Sequence, residues 1–263
     1  MRNLFVKTLY DKRAFMLGWS IGLAVMGYLM LIFYPAFSQD SSLDALVKNL
    51  PPALQGLVGD LANLKQLPNY LGSQLYEVRI PIFISILAII LALSLTVSEE
   101  EKGQLRTLLA LPLSRIRIFF EKWFAVVVIC TVAVAATAGG VVVGLLTINE
   151  SLDWNVLVRL SIMMWLLTVC LATIVFSVGL ATGKRSIAMT IGLIVAVGSF
   201  LLTTFAKSVD WLQTYEPASL LHYFPAVDIA ATGINLTDVG VFVGLTILFI
   251  LTGVVLFRRR DVQ

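Results

Sequence analysis

Glu99, Glu100 and Glu101 form a run of three carboxylates wedged between long apolar stretches, at the head of Ser98–Lys122, SEEEKGQLRTLLALPLSRIRIFFEK. Clustered carboxylates at a membrane edge suit acid–base work in an intramembrane hydrolase. That chemistry needs histidines or a second acid on neighbouring spans at membrane depth. The only histidine, His222, sits in a different loop beside Pro217 and Pro225 and reads as solvated. Cys130 and Cys170 both fall inside apolar runs, lack metal-ligand spacing, and read as small packing side chains. A phosphate loop is absent as well. The nearest approach, Gly179 to Arg185, is one residue short and carries arginine where a magnesium-binding hydroxyl belongs. The acids therefore read as part of a mechanical contact, something a partner outside the bilayer grips, and the chain reads as no enzyme.

The elements that hold them follow from composition. Of 263 residues, 59% are hydrophobic and 13% are charged, where soluble domains carry about 25% charge. The net charge of +3 comes from cations at the ends of apolar runs rather than in a stripe, which argues against nucleic acid. Six segments are long and apolar enough to cross a bilayer, near 14–34, 80–98, 123–148, 156–182, 187–206 and 239–257. In lipid each must satisfy its own backbone, so each is a helix. The first follows Arg2, Lys7, Lys12 and Arg13 and is too long for a signal segment, so it reads as a retained span. The fold class is an all-α polytopic membrane protein with six transmembrane helices and short amphipathic helices at both membrane surfaces.

Fourteen of the nineteen lysines and arginines lie on one side of that arrangement, at the N-terminus, in the elbow, at Lys184–Arg185 and at Arg258–Arg260. Both termini and residues 99–122 are thereby expected in the cytoplasm. On the other side, the loop 35–79 carries leucines at helical spacing over 43–50 and 54–61, two short helices expected on the outer membrane face. The loop 207–238 brings Trp211, Tyr215, Tyr223 and Phe224 as interfacial aromatics. The span cores lack Asp, Glu, Lys, Arg and His, which argues against a proton- or ion-coupled carrier. The glycine pairs Gly18/Gly22, Gly140/Gly144 and Gly240/Gly244 permit close helix approach, within the chain by default.

Within the elbow, Gly103 allows a tight turn. Leu105, Leu108 and Leu109 share one helical face, Pro112 breaks the helix, and Ser114 caps the next one. There Ile116, Phe119, Phe120 and Trp123 are expected on the apolar face, with Arg115, Glu121 and Lys122 pointing elsewhere. This order of Glu99–Glu101, Gly103, Leu108-Leu109, Pro112, Ser114-Arg115 and Lys122 resembles the signature between the second and third spans of the type-2 ATP-binding-cassette exporter permeases. The ending Leu256-Phe257-Arg258-Arg259-Arg260-Asp261 resembles their last-span terminus. The resemblance covers essentially the whole chain, as a single transmembrane permease domain over 1–263.

The resemblance implies a permease subunit that forms the substrate pathway of an exporter in the cytoplasmic (inner) membrane. It implies a second permease copy, identical or not, and separate cytoplasmic ATPase subunits that carry ATP and magnesium. This chain would bind no cofactor and no metal. An elbow at 99–122, with Arg106 among its residues, would seat in the ATPase. Residues 1–13 resemble the family's interfacial helix, with the lipid bilayer as their partner. The alternative is a membrane scaffold or signalling subunit that transports nothing.

Overall fold

The computed structural model describes residues 4–39, 66–109, 114–206 and 209–260. Every regular element among them is helical. A short α1 (Leu4–Asp11) leads into α2 (Arg13–Gln39), the first span. After α3 (Leu67–Tyr70), a π-helical stretch (Leu71–Arg79) runs straight into α4 (Ile80–Leu95), the second span. The elbow helices α5 (Val97–Glu101) and α6 (Gln104–Leu109) precede α7 (Arg115–Ile148), which contains the third span. The fourth and fifth spans are α8 (Trp154–Thr182) and α9 (Arg185–Ala206). A short α10 (Asp210–Gln213) and two 3-10 turns lead to α11 (Ala226–Thr232) and the last span, α12 (Leu236–Arg259).

All six expected spans are present as helices of sufficient length and apolarity. The fourth is the most buried and is the axle of the bundle. Helices α4, α7, α9 and α12 all pack on α8, while α2 packs chiefly on α7. The α2–α7 seam is set by glycine. A Cβ on Gly140 would overlap the Ala24 backbone, and one on Gly144 would press on Leu31. Of the three glycine pairs, only this one packs inside the chain, since a Cβ at Gly18, Gly22, Gly240 or Gly244 meets nothing within 4 Å.

Two expectations about the outer loops need correction. Residues 67–79 are not a surface loop. Leu71, Leu75 and Tyr76 are fully buried, so this stretch extends the second span into the core. Its wider helical turn is a π-type distortion that periodicity of 3.6 does not anticipate. Phe224 is also buried, packed with Tyr70 and Ala226 in the core cluster, whereas Trp211 and Tyr215 are exposed as interfacial aromatics would be. The helices expected over 43–50 and 54–61 lie outside the described residues.

Candidate functional site

The elbow is built where three helices end. Spans two, four and six all run toward it, so three sets of unpaired carbonyls and three negative dipole ends converge at one surface. The second span breaks at Thr96, whose backbone leaves helical geometry (φ −117°, ψ −92°) and whose hydroxyl donates back to the Ala92 carbonyl at 2.7 Å. The break leaves the Leu95 carbonyl to a side chain. Lys122 Nζ donates to it at 2.9 Å and to Glu99 Oε2 at 2.6 Å.

The other two helix ends are closed in the same way. The fourth span stops at Gly183, in the left-handed region at φ +62°, a turn that suits glycine. A Cβ there would collide with the Arg260 guanidinium, which lies across the turn. Arg260 Nη1 donates to the Leu180 carbonyl at 3.0 Å and to Glu100 Oε2 at 3.0 Å, and its Nη2 pairs with Glu100 Oε1. The sixth span is capped by Arg115, whose Nη1 donates to the carbonyls of Phe257 (3.1 Å), Arg258 (3.3 Å) and Arg260. Cations at helix C-termini are each worth about 0.3–2 kcal/mol, more as the site becomes less exposed.

The three acids thus face three different helices. Glu99 holds Lys122 of α7, Glu100 holds Arg260 beyond α12, and Glu101 meets Arg185 of α9 at 3.6 Å. The first two pairs are largely sheltered, while the third is about half exposed on both partners. Strength should follow that order, because exposed pairs are worth little.

Lys122 overturns one expectation. It is fully buried, while Ile116 is 39% exposed. The inward face of α7 carries Ile118, Phe119 and Lys122, with Ala125 and Val126 following. An ammonium is drawn into this face because a carbonyl and a carboxylate wait there. Ser114 does cap α7, accepting from the Arg117 backbone N–H at 3.2 Å. Gly103 does make the turn between α5 and α6, at φ +72°.

The elbow also grips α1. Glu121 Oε2 accepts the Phe5 backbone N–H at 3.1 Å, and its other oxygen accepts from Arg117 Nε at 2.6 Å. Leu4 of α1, Leu108 of α6 and Ile118 of α7 form a small apolar cluster beneath this contact. Just beyond the end of α1, Lys12 Nζ reaches the Ser94 carbonyl at 3.4 Å. Burial holds the Lys12 ammonium below the usual lysine range, an effect the nearby Glu99 carboxylate offsets only in part. Leu105 is fully buried. The side chains of Arg106 and Leu109, and all of Pro112, lie outside the described residues.

Sequence reasoning found the acids but missed Arg260 and Arg185 as their partners. The one available signal was that Lys184–Arg185 and Arg258–Arg260 fall on the same side as the acidic run.

Among the cavities away from the elbow, two bear on function. An apolar groove of about 710 Å³ runs along α2, lined by Gly18, Trp19, Gly22, Met26 and Phe33 and, from α4, by Phe83. At the opposite end of the bundle from the elbow, a polar cavity of about 420 Å³ is lined by Glu77, Glu216, His222, Asp228, Asn235 and Asp238 among others. His222 Nδ1 lies 3.2 Å from Glu216 there. Among the described residues no group of His, Cys, Asp and Glu is arranged to hold a metal ion.

No curated protein matches the chain. The family model described as ABC-2 family transporter protein matches residues 7–262, from α1 to beyond Arg260. Six apolar spanning helices and a match over nearly the whole length agree, and the chain is therefore a multi-pass membrane protein that belongs to the ABC-2 transporter family.

Proposed function

We propose that this chain is the permease subunit of an ATP-binding-cassette exporter. It pairs with a second permease copy in the cytoplasmic (inner) membrane and is driven by separate cytoplasmic ATPase subunits that bind ATP and magnesium. Both termini and the elbow face the cytoplasm in this reading.

The observation that carries it is the elbow's construction. A surface helix pair is fused to the third span and bonded to the ends of the second, fourth and sixth spans. A ligand-gated pore needs no such joint, whereas a permease that receives work at one surface must deliver it to several helices at once. Within the elbow the roles divide. Glu99, Glu100, Arg115 and Lys122 face inward as ties. The exposed Lys102, Gln104, Ile116 and Arg117 form the face offered to the ATPase.

The α2 groove supports an apolar pathway, because its lining carries no charged side chain. Gly18 and Gly22 remain uncovered there, and with exposed Leu193, Ile194 and Val197 of α9 they fit a second copy. Cargo on this reading is hydrophobic or amphipathic.

The test is ATPase recovery. Permease purified from its own cells should carry magnesium-dependent ATP hydrolysis with it. Ile116→Glu, which places a carboxylate on the exposed face and touches none of the ties, should lower the recovered activity at least about tenfold, the effect of placing a charge in an interface. Recovery equal to the unsubstituted chain would refute this face as the docking surface.

A further inference from the structure

Two spans share a pattern that neither the family nor the elbow reading assigns. The second span ends inside the elbow at Leu95, whose carbonyl is capped by Lys122. Its other end continues without a break into the helical stretch that carries Glu77. The sixth span ends inside the elbow at Arg259, its last carbonyls capped by Arg115. Its other end begins at Asn235 and carries Asp238. Glu77, Asn235 and Asp238 line the same polar cavity at the far end of the bundle. Arg115 and Lys122 are seven residues apart on one helix, so they lie two turns apart on a single face. One segment of α7 thus holds the near ends of the two helices whose far ends line one outer cavity.

We propose that Arg115 and Lys122 are positioning residues that link the root of α7 to the outer cavity through the second and sixth spans. Tilting of α7 moves both capped ends together, and each helix carries the displacement to its far end as a rod. The sixth span, 24 residues long, covers about 36 Å at 1.5 Å per residue. It is the least buried of the six spans, and its packing is chiefly on the fourth span. It meets the fourth span at Gly253, which sits directly against Ser177. Glu99 and Glu100 keep the link intact by neutralising Lys122 and Arg260 where helix ends and cations crowd together. Arg117, on the same helix but exposed and bonded to Glu121, lies outside the link.

The functional meaning of this link rests on the permease reading, but its test uses the chain alone, reconstituted in lipid nanodiscs, so docking of an ATPase does not enter the result. Spin labels are placed at Leu236→Cys and Trp154→Cys, both exposed at the outer ends of α12 and α8. The two native thiols are buried and stay unlabelled. The expected result is one narrow distance distribution in the unsubstituted background and in Arg117→Ala. In Arg115→Ala it should become broader or shift, and in Arg115→Lys, which restores a cation to the carbonyls, it should return to the narrow form. Amide hydrogen exchange over the last turn of α12 should run about tenfold faster in Arg115→Ala, as loss of a charged hydrogen bond implies. A merely local role would change exchange in that turn and leave the outer distance alone. The proposal is overturned if the Arg115→Ala and unsubstituted distributions superimpose. It is equally overturned if Arg115→Lys behaves as Arg115→Ala, which is the deciding comparison should Arg115→Ala fold poorly.

Discussion

Lys122→Met separates a buried tie from a solvated loop charge. The ammonium is fully buried, with 2.9 Å to the Leu95 carbonyl and 2.6 Å to Glu99, whose side chain is 17% exposed. Methionine keeps the volume and length, so packing is nearly conserved and the measurement reports the lost charge. Breaking a buried pair from one side costs about 3–5 kcal/mol, because the remaining charge has no partner. Water reaches Glu99 in part, so the lower end applies, about 3 kcal/mol. On the scale of soluble domains of about this size, where 1 kcal/mol moves Tm by about 2–4 °C, the midpoint should fall about 6–12 °C. The assay is thermal unfolding in detergent micelles, followed by intrinsic tryptophan fluorescence. Glu99→Gln in the Lys122→Met background should recover most of the loss, since the orphaned carboxylate is then neutral. The coupling between the two substitutions should exceed about 1 kcal/mol, as contacting residues in one network require. A Lys122→Met midpoint within 2 °C of the unsubstituted chain would refute the reasoning. So would strictly additive single and double substitutions.

Gly140→Val should drive α2 away from α7, because a Cβ overlaps the Ala24 backbone, while a Cβ on Gly139 meets nothing within 4 Å, so Gly139→Val should be tolerated. Comparison of the two by size-exclusion profile and midpoint checks this, and equal tolerance would contradict the seam. Glu121→Ala should loosen α1, through loss of the Phe5 N–H contact and the Arg117 pair. Removal of a helix N-terminal acceptor costs about 0.5–2 kcal/mol, so faster amide exchange is expected over Leu4–Asp11, with the spans unaffected. Arg185→Ala should leave stability within about 0.5 kcal/mol, since its pair with Glu101 is 3.6 Å long and half exposed. A loss matching that of Lys122→Met would mean the three acids act as one unit rather than by burial.

The spans were legible because about 20 apolar residues are what a bilayer demands, and few other constraints produce such runs. Ser114 and Gly103 were legible because capping and positive φ are local requirements with a short list of suitable residues. Lys122 was not. A lysine between Phe119-Phe120 and Trp123-Phe124 reads as outward-facing unless a partner is known to wait inside. That partner is a carbonyl exposed by the break at Thr96, which falls near the end of the apolar run with no glycine or proline to mark it. The internal pairings of the acids were hidden for a related reason. Charge sign and sidedness can be read along the chain, but which of fourteen cations meets which acid depends on how the helix ends converge. Residues 67–79 read as loop because apolar runs of spanning length begin only near residue 80, yet the chain there winds as a helix buried among its neighbours.

The central claim is that a separate ATPase grips the elbow from the cytoplasm. It is tested most directly by a photo-crosslinking amino acid placed at Ile116, exposed on α7, in living cells, with the same probe at Leu236 at the opposite end of the bundle. The expected result is an adduct at position 116 whose mass spectrum identifies a protein with a phosphate-loop ATPase sequence, and no such adduct at position 236. An ATPase adduct at 236, or its absence at 116 while the chain is folded and inserted, would contradict it.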